Sequence, residues 1–169
     1  AANSSFLTDG ASAVLLMSEE KAKRLGFIAK AEIIDFTFTG QRLEDELLLG
    51  PAYAVSKLLD RQKMTFKDID VIEFHEAFAG QILSNLKALA SDGFTSKELG
   101  LKKSLGEVPM EKFNLWGGSL SIGHPFGATG GRLLTPTCNR LKHEKGTYGL
   151  LAACAAGAHG HAMLIKTLL

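Results

Sequence analysis

The chain is short of the features that would assign it to a specialised class. Its two cysteines, Cys138 and Cys154, are too few for a disulfide framework, so unpaired thiols or a reducing compartment fit better. No charge of one sign dominates. The 169 residues carry 19 Lys and Arg against 18 Asp and Glu, and a formal net charge of +1 leaves no electrostatic footprint for a nucleic acid. No window approaches the roughly 18 apolar residues of a membrane span. Low-complexity, collagen-like and disordered compositions are also excluded, as are internal repeats and linkers. What remains is ordinary: 46% hydrophobic and 22% charged residues, as in one globular domain that buries roughly 70% of its unfolded surface. The opening AANSS has no initiator Met, basic segment or apolar signal core. It is expected to lie inside a longer polypeptide and to carry no targeting peptide of its own.

Periodicity then orders the chain. Ala11 to Met17 is an apolar run after the turn residues Thr8-Asp9-Gly10 and predicts a buried strand. Ser18 predicts a helix N-cap with Glu19 and Glu20 in the first turn, and Gly26 ends that helix. Lys30 to Phe38 predicts a strand with Ile34, Phe36 and Phe38 on one face. Pro51 opens a helix with Val55, Leu58 and Leu59 as its apolar stripe, and Thr65 with Asp68 resembles a capping box. Ile69 to Phe74 predicts an interior strand, followed by a helix over Ala77 to Ala90 with Ala79, Ile82, Leu83, Leu86 and Leu89 on one face. Ser91 to Lys112 balances Lys97, Lys102, Lys103 and Lys112 against Asp92, Glu98, Glu107 and Glu111. It reads as a solvated excursion with one short helix, a partner-binding or membrane-facing role being the alternative. A Gly-rich loop at Gly117 to Gly131 leads into a helix reaching Leu141, in which Pro136 should cause a kink or a delayed start. Tyr148 to Cys154 and His161 to Ile165 predict a hairpin. The alternation implies a layered α/β domain, a mixed β-sheet with helices packed on its faces.

Three places could carry chemistry. His75-Glu76 falls where a strand gives way to a helix, the end of an α/β sheet at which ligand crevices open. A His there can donate to a carbonyl oxygen, hold a water, or simply cap the helix. The string HEAFA is no zinc-protease motif, because position 79 is Ala where HExxH needs a second His. The second place is SIGHPFGATGGR, with His124 between Gly123 and Pro125 ahead of a helix. Small residues let backbone amides approach a ligand, and an imidazole of pKa about 6.5 can take a thiol proton near neutrality. No Gly-Lys-Ser/Thr follows, so a phosphate loop is disfavoured. The third is CAAGA, in which Cys154 ends a strand beside four very small residues, a suitable setting for an acid/base or nucleophilic thiol. Cys138 reads as a packing residue. His159 and His161 alternate at strand period with no further ligand cluster nearby, so no metal site is expected.

In this order and spacing, HEAF, GHPFGATG and CAAGAHG resemble the C-terminal half of a thiolase, and the opening NSSFLTDGASAVLLMSEEKA resembles the start of that half. HEAF in place of NEAF, and CAAG in place of a Gly-richer turn, resemble the branch of mitochondrial fatty-acid β-oxidation. The resemblance implies one domain, residues 1–169, of a parent that cleaves 3-ketoacyl-CoA with CoA to acetyl-CoA and a shortened acyl-CoA. CoA is then a co-substrate, and no other cofactor is implied. By motif, His124 would activate a nucleophilic Cys and polarise the thioester oxygen. Cys154 would move the proton at the α-carbon and activate CoA. His75 takes the place of an Asn that positions a water in one oxyanion hole. The amide of Ala156 would serve a second oxyanion hole, and Ala77, Phe78 and Gly123 would lie against the substrate. The family's nucleophilic Cys belongs to the other half, so this half alone is expected to be inactive. The resemblance further implies pairing with the N-terminal half, a homodimeric parent, a hydratase/dehydrogenase α-subunit and a mitochondrial location. The alternatives are a non-catalytic CoA-binding or partner module of the same fold, and half of a biosynthetic condensing enzyme.

Overall fold

The computed structural model describes residues 2–169. Four strands form one sheet in the order β1-β4-β3-β2: β1 Ala31–Gly40, β2 Val71–Phe74, β3 Tyr148–Ala155 and β4 His159–Thr167. β3 and β4 are the predicted antiparallel hairpin and β1 pairs antiparallel with β4, whereas β2 runs parallel to β3 with Phe74 opposite Ala152. A parallel pair requires a crossover, and the chain between β2 and β3 supplies it. That segment contains α3 (Ala79–Ala90), α4 (Asp92–Leu99), the short α5 (Ser119–Ile122) and α6 (Thr129–Glu144). The earlier helices are α1 (Glu19–Leu25) and α2 (Gly50–Gln62).

Side chains alternate across the sheet and build two cores. Leu150, Ala152, Ala162, Leu164, Ile72 and Phe74 face α2 and α3, where Val55, Leu58 and Leu59 are fully buried as their spacing predicts. Val71, Leu151 and Ile165 face α6 through Leu133, Cys138 and Leu141. On that side Arg140 and Glu73, both almost wholly buried, form an ion pair at 2.6 Å, and Arg140 also binds Glu144 at 2.8 Å. Two glycines allow the closest approach of elements. A Cβ on Gly50 at the start of α2 would overlap the backbone at His159 and Gly160, and one on Gly160 would overlap Gly50.

Local chemistry explains the element ends. Ser18 accepts a hydrogen bond from the amide of Lys21, and Gly26 closes α1 at φ 72°. Thr65 and Asp68 form the full capping box of a 3-10 turn.

Four expectations are corrected. Ala11 to Met17 is no strand of this sheet: Leu15 and Leu16 are about two-thirds exposed. An apolar run predicts burial, but no strand of this sheet pairs with the segment. In β1 the register shifts between Ile33 and Asp35. That bulge separates Ile34, which packs on the α2 core, from Phe36 and Phe38, which face outward while Thr37 and Thr39 are buried. α6 begins at Thr129, two turns before Pro136, so the proline does not delay it. Leu83 of α3 is also exposed rather than part of the buried stripe.

Candidate functional site

β2 and β3 are parallel neighbours, so their carboxyl ends open at one edge of the sheet. His75 follows β2 directly, and its backbone N–H still bonds the carbonyl of Ala152 at 2.8 Å. Cys154 lies two residues beyond Ala152 on β3. His124 reaches the same edge from the loop between α5 and α6, and its ring centroid is 4.0 Å from that of His75. Residues 49 apart in sequence are therefore in ring contact. The structure brings the two imidazoles together directly, and Cys154 only as a neighbour along the sheet edge. The pleat places Cys154 with Leu150 and Ala152 on the α2 side, opposite Gly160, whereas His75 follows Glu73 toward α6.

Each imidazole has a hydroxyl on Nδ1. His75 Nδ1 is 2.9 Å from Ser119 Oγ, and His124 Nδ1 is 2.6 Å from Thr129 Oγ1. When Thr129 donates to the Pro125 carbonyl, 3.5 Å away, His124 donates through Nδ1 and leaves Nε2 with the lone pair a base needs. His75 is almost wholly buried, and that burial, with His124 and Arg132 adding to it, pushes its pKa down to about 3. Burial first and Arg132 second also lower that of His124. Both rings are thus neutral near pH 7. Burial pushes the Cys154 thiol up to about 11, so it is a proton donor before it is a thiolate.

Glu76 fixes the loop on which His75 sits. Its carboxylate accepts from Asn114 Nδ2 at 2.7 Å and from the amide of Leu120 at 3.0 Å, at the start of α5. A Cβ on Gly118 would collide with that carboxylate, which accounts for the glycine. The opening segment ties the two histidine loops together. The amide of Ala79 donates to Asn3, that of Ser5 to Ala77, and that of His124 to Phe6. Ser12 Oγ donates to the Ala128 carbonyl at 2.6 Å. Gly123 has φ 88°, and a Cβ there would overlap Thr8, so both its conformation and the crossing segment require glycine.

The remaining candidates are more dispersed. Gly123 and Ala77 are part of these backbone ties. Phe78 is exposed and lines a groove of about 470 Å³ with Leu47, Leu48, Leu49 and Gln81; neither histidine nor Cys154 lines it. Ala156 is exposed at the β3–β4 turn, where its N–H has no backbone acceptor among the described residues. Cys138 is buried against α6's core partners, as a packing residue should be. His161 stacks on Phe38 at 4.6 Å, away from the imidazole pair. Among the described residues no three His, Cys, Asp or Glu side chains are grouped as a metal site. Sequence reading missed Ser119, Thr129, Arg132, Asn114 and Glu76 as supports. Glu76, next to His75, and Thr129 and Arg132, within the Gly-rich stretch after His124, lay in a marked motif; Ser119 and Asn114 lay outside the marked motifs.

Comparison with known proteins agrees with the motifs. Residues 27–167 match the family described as thiolase, C-terminal domain. The mitochondrial trifunctional enzyme subunit beta of Bos taurus is 60% identical over 98% of this chain, which spans 35% of that protein. A probable 3-ketoacyl-CoA thiolase of Caenorhabditis elegans is 57% identical over 98% of the chain and 37% of its own length. The crystal structure of human mitochondrial 3-ketoacyl-CoA thiolase in complex with CoA superposes with a TM-score of 0.72 at 28% identity, covering 89% of this chain and 34% of that one. The chain thus spans about a third of the length of these relatives. It belongs to the thiolase family, as a C-terminal domain.

Proposed function

We propose that this chain is the C-terminal part of a protein that cleaves 3-ketoacyl-CoA with CoA, giving acetyl-CoA and an acyl-CoA shortened by two carbons. The observation that carries the reading is the neutral imidazole pair at the carboxyl edge of the sheet, with a protonated thiol on the adjacent strand. His124, neutral and partly exposed, is suited to take the proton of a nucleophilic thiol supplied by the rest of the parent. His75 is buried and uncharged, and its remaining ring nitrogen can hold a water or donate directly to a developing oxyanion. Cys154 is suited to hand a proton to the departing acetyl-CoA carbanion. As a thiolate it would take the proton of the incoming CoA. The free amide of Ala156 serves the second oxyanion hole. Ala77, Phe78 and Gly123 flank the CoA arm.

The name of the bovine relative, a mitochondrial trifunctional enzyme subunit beta, supports a mitochondrial parent that works beside a further subunit. The motif resemblance extends this to fatty-acid β-oxidation, with hydratase and dehydrogenase activities on that subunit. The parent would join two such halves in each chain and form a homodimer. No second cofactor is required by this chemistry.

The test is thiolysis by the full-length protein carrying this chain, followed as loss of 3-ketoacyl-CoA in the presence of CoA. Acetyl-CoA release that disappears in His124→Ala supports the reading. Tight CoA binding without turnover would instead make it a binding module. The 169 residues alone are expected to show no thiolysis, and rapid acetyl-CoA release by them would contradict that assignment of the nucleophile.

A further inference from the structure

Ser119 opens α5 and is completely buried. Its hydroxyl has two polar neighbours, Arg132 Nη2 at 3.1 Å and His75 Nδ1 at 2.9 Å. A guanidinium only donates, so Arg132 occupies one lone pair of Ser119 Oγ. The hydroxyl proton then needs an acceptor, because a buried donor left unpaired is costly. Nδ1 of His75 is the one within reach among the described residues. If the bond ran the other way, from Nδ1–H to Ser119, the serine would accept twice and its own proton would have no partner. The chain of donation therefore runs Arg132 to Ser119 to Nδ1.

We propose that Ser119, with its hydroxyl oriented by Arg132, is a positioning residue that fixes His75 in the tautomer with its proton on Nε2. The single ring proton is thereby kept on the nitrogen that has no hydrogen-bond partner among the described residues. Under the function proposed above, on which this consequence for catalysis rests, Nε2–H is the donor presented to the oxyanion or its water. A His in an oxyanion position needs such a device and an Asn does not, since an amide always carries its N–H while a neutral imidazole can place its proton on either nitrogen. Three groups face this ring: His124 from the loop before α6, Arg132 from α6 and Ser119 from α5. Glu73 and Glu76 lie behind Arg132 and act on it rather than on the ring.

The measurement is a two-bond 1H–15N correlation on the chain labelled with 15N-histidine, His75 being assigned by loss of its signals in His75→Gln. The wild type should show His75 with an unprotonated Nδ1 and a protonated Nε2, unchanged between pH 5.5 and 8. Ser119→Ala should shift His75 toward the Nδ1–H form, and Ser119→Thr should restore the wild-type pattern. In the full-length protein Ser119→Ala should lower kcat roughly 10-fold to 100-fold, with Ser119→Thr recovering most of it and KM for CoA little changed. Protonated Nδ1 in the wild type would overturn the proposal, even if Ser119→Ala fails to fold. So would a tautomer unaffected by the alanine. If the spectra behave as stated and the full-length protein does not thiolyse, the tautomer assignment stands and the proposed reaction falls.

Discussion

Two neighbourhoods at one sheet edge hold their reactive groups by opposite means. The imidazoles are anchored through side chains: Ser119 and Thr129 on the ring nitrogens, Arg132 behind Ser119, Glu76 across the loop to α5. Cys154 is anchored by backbone alone, paired with Gly160 in the hairpin, and its thiol makes no hydrogen bond to another side chain among the described residues. The polar region fixes which atom carries a proton and where that atom points. The apolar region fixes only the position of a thiol and keeps it protonated. A base wants the first setting and an acid the second.

The largest expected effects separate the two settings by chemistry. In the full-length protein His124→Ala should lower kcat roughly 10³-fold, as should Cys154→Ala, but they should differ in the step lost. The former should abolish formation of the acyl-enzyme in rapid-quench assays, whereas the latter should block protonation of the departing acetyl-CoA carbanion and deprotonation of the incoming CoA. Next comes the support of the imidazole side. Glu73→Ala leaves the buried Arg140 with the partly exposed Glu144 as its one carboxylate partner and should cost about 3 kcal/mol in urea unfolding, with Glu73→Gln costing less.

Titration should then distinguish the regions by the sign of their pH response. His75 is held below its unfolded value of about 6.5, so the unfolded chain binds the extra proton. Stability should fall as pH drops from about 6.5 toward 3, by roughly 1.4 kcal/mol per unit from this group. Cys154 is held above its unfolded value of about 9, so the folded chain keeps the proton. Its contribution is intact below pH 9 and should be lost as pH rises through 11. Denaturation midpoints of His75→Gln and Cys154→Ala against pH should each flatten one limb and leave the other. The smallest effect belongs to a place remote from both. Thr65→Ala removes the capping box before β2 and should cost about 1 kcal/mol, with no change in kcat.

How far the sequence could be read follows the same division between local and distant causes. The α2 stripe, the Ser18 and Thr65 caps, β2 and the final hairpin were legible because periodicity and capping depend on neighbours within a few residues. Ala11 to Met17 was not, since apolar letters state a wish for burial without naming the partner. Phe36 and Phe38 were placed on a common face with Ile34, and a one-residue bulge undid that. Three motifs marked His75, His124 and Cys154, but nothing near His75 announced Ser119, 44 residues away, or the arginine behind it. Such supports become visible only once the crossover returns α5 and α6 to the end of β2.

The most direct test of the account is exchange of the methyl protons of acetyl-CoA with D₂O by the full-length protein, followed by mass spectrometry. If Cys154 moves the α-carbon proton at the edge where the imidazoles stand, the wild type should incorporate deuterium and Cys154→Ala, still folded and still binding CoA, should not. Undiminished incorporation by Cys154→Ala would contradict it.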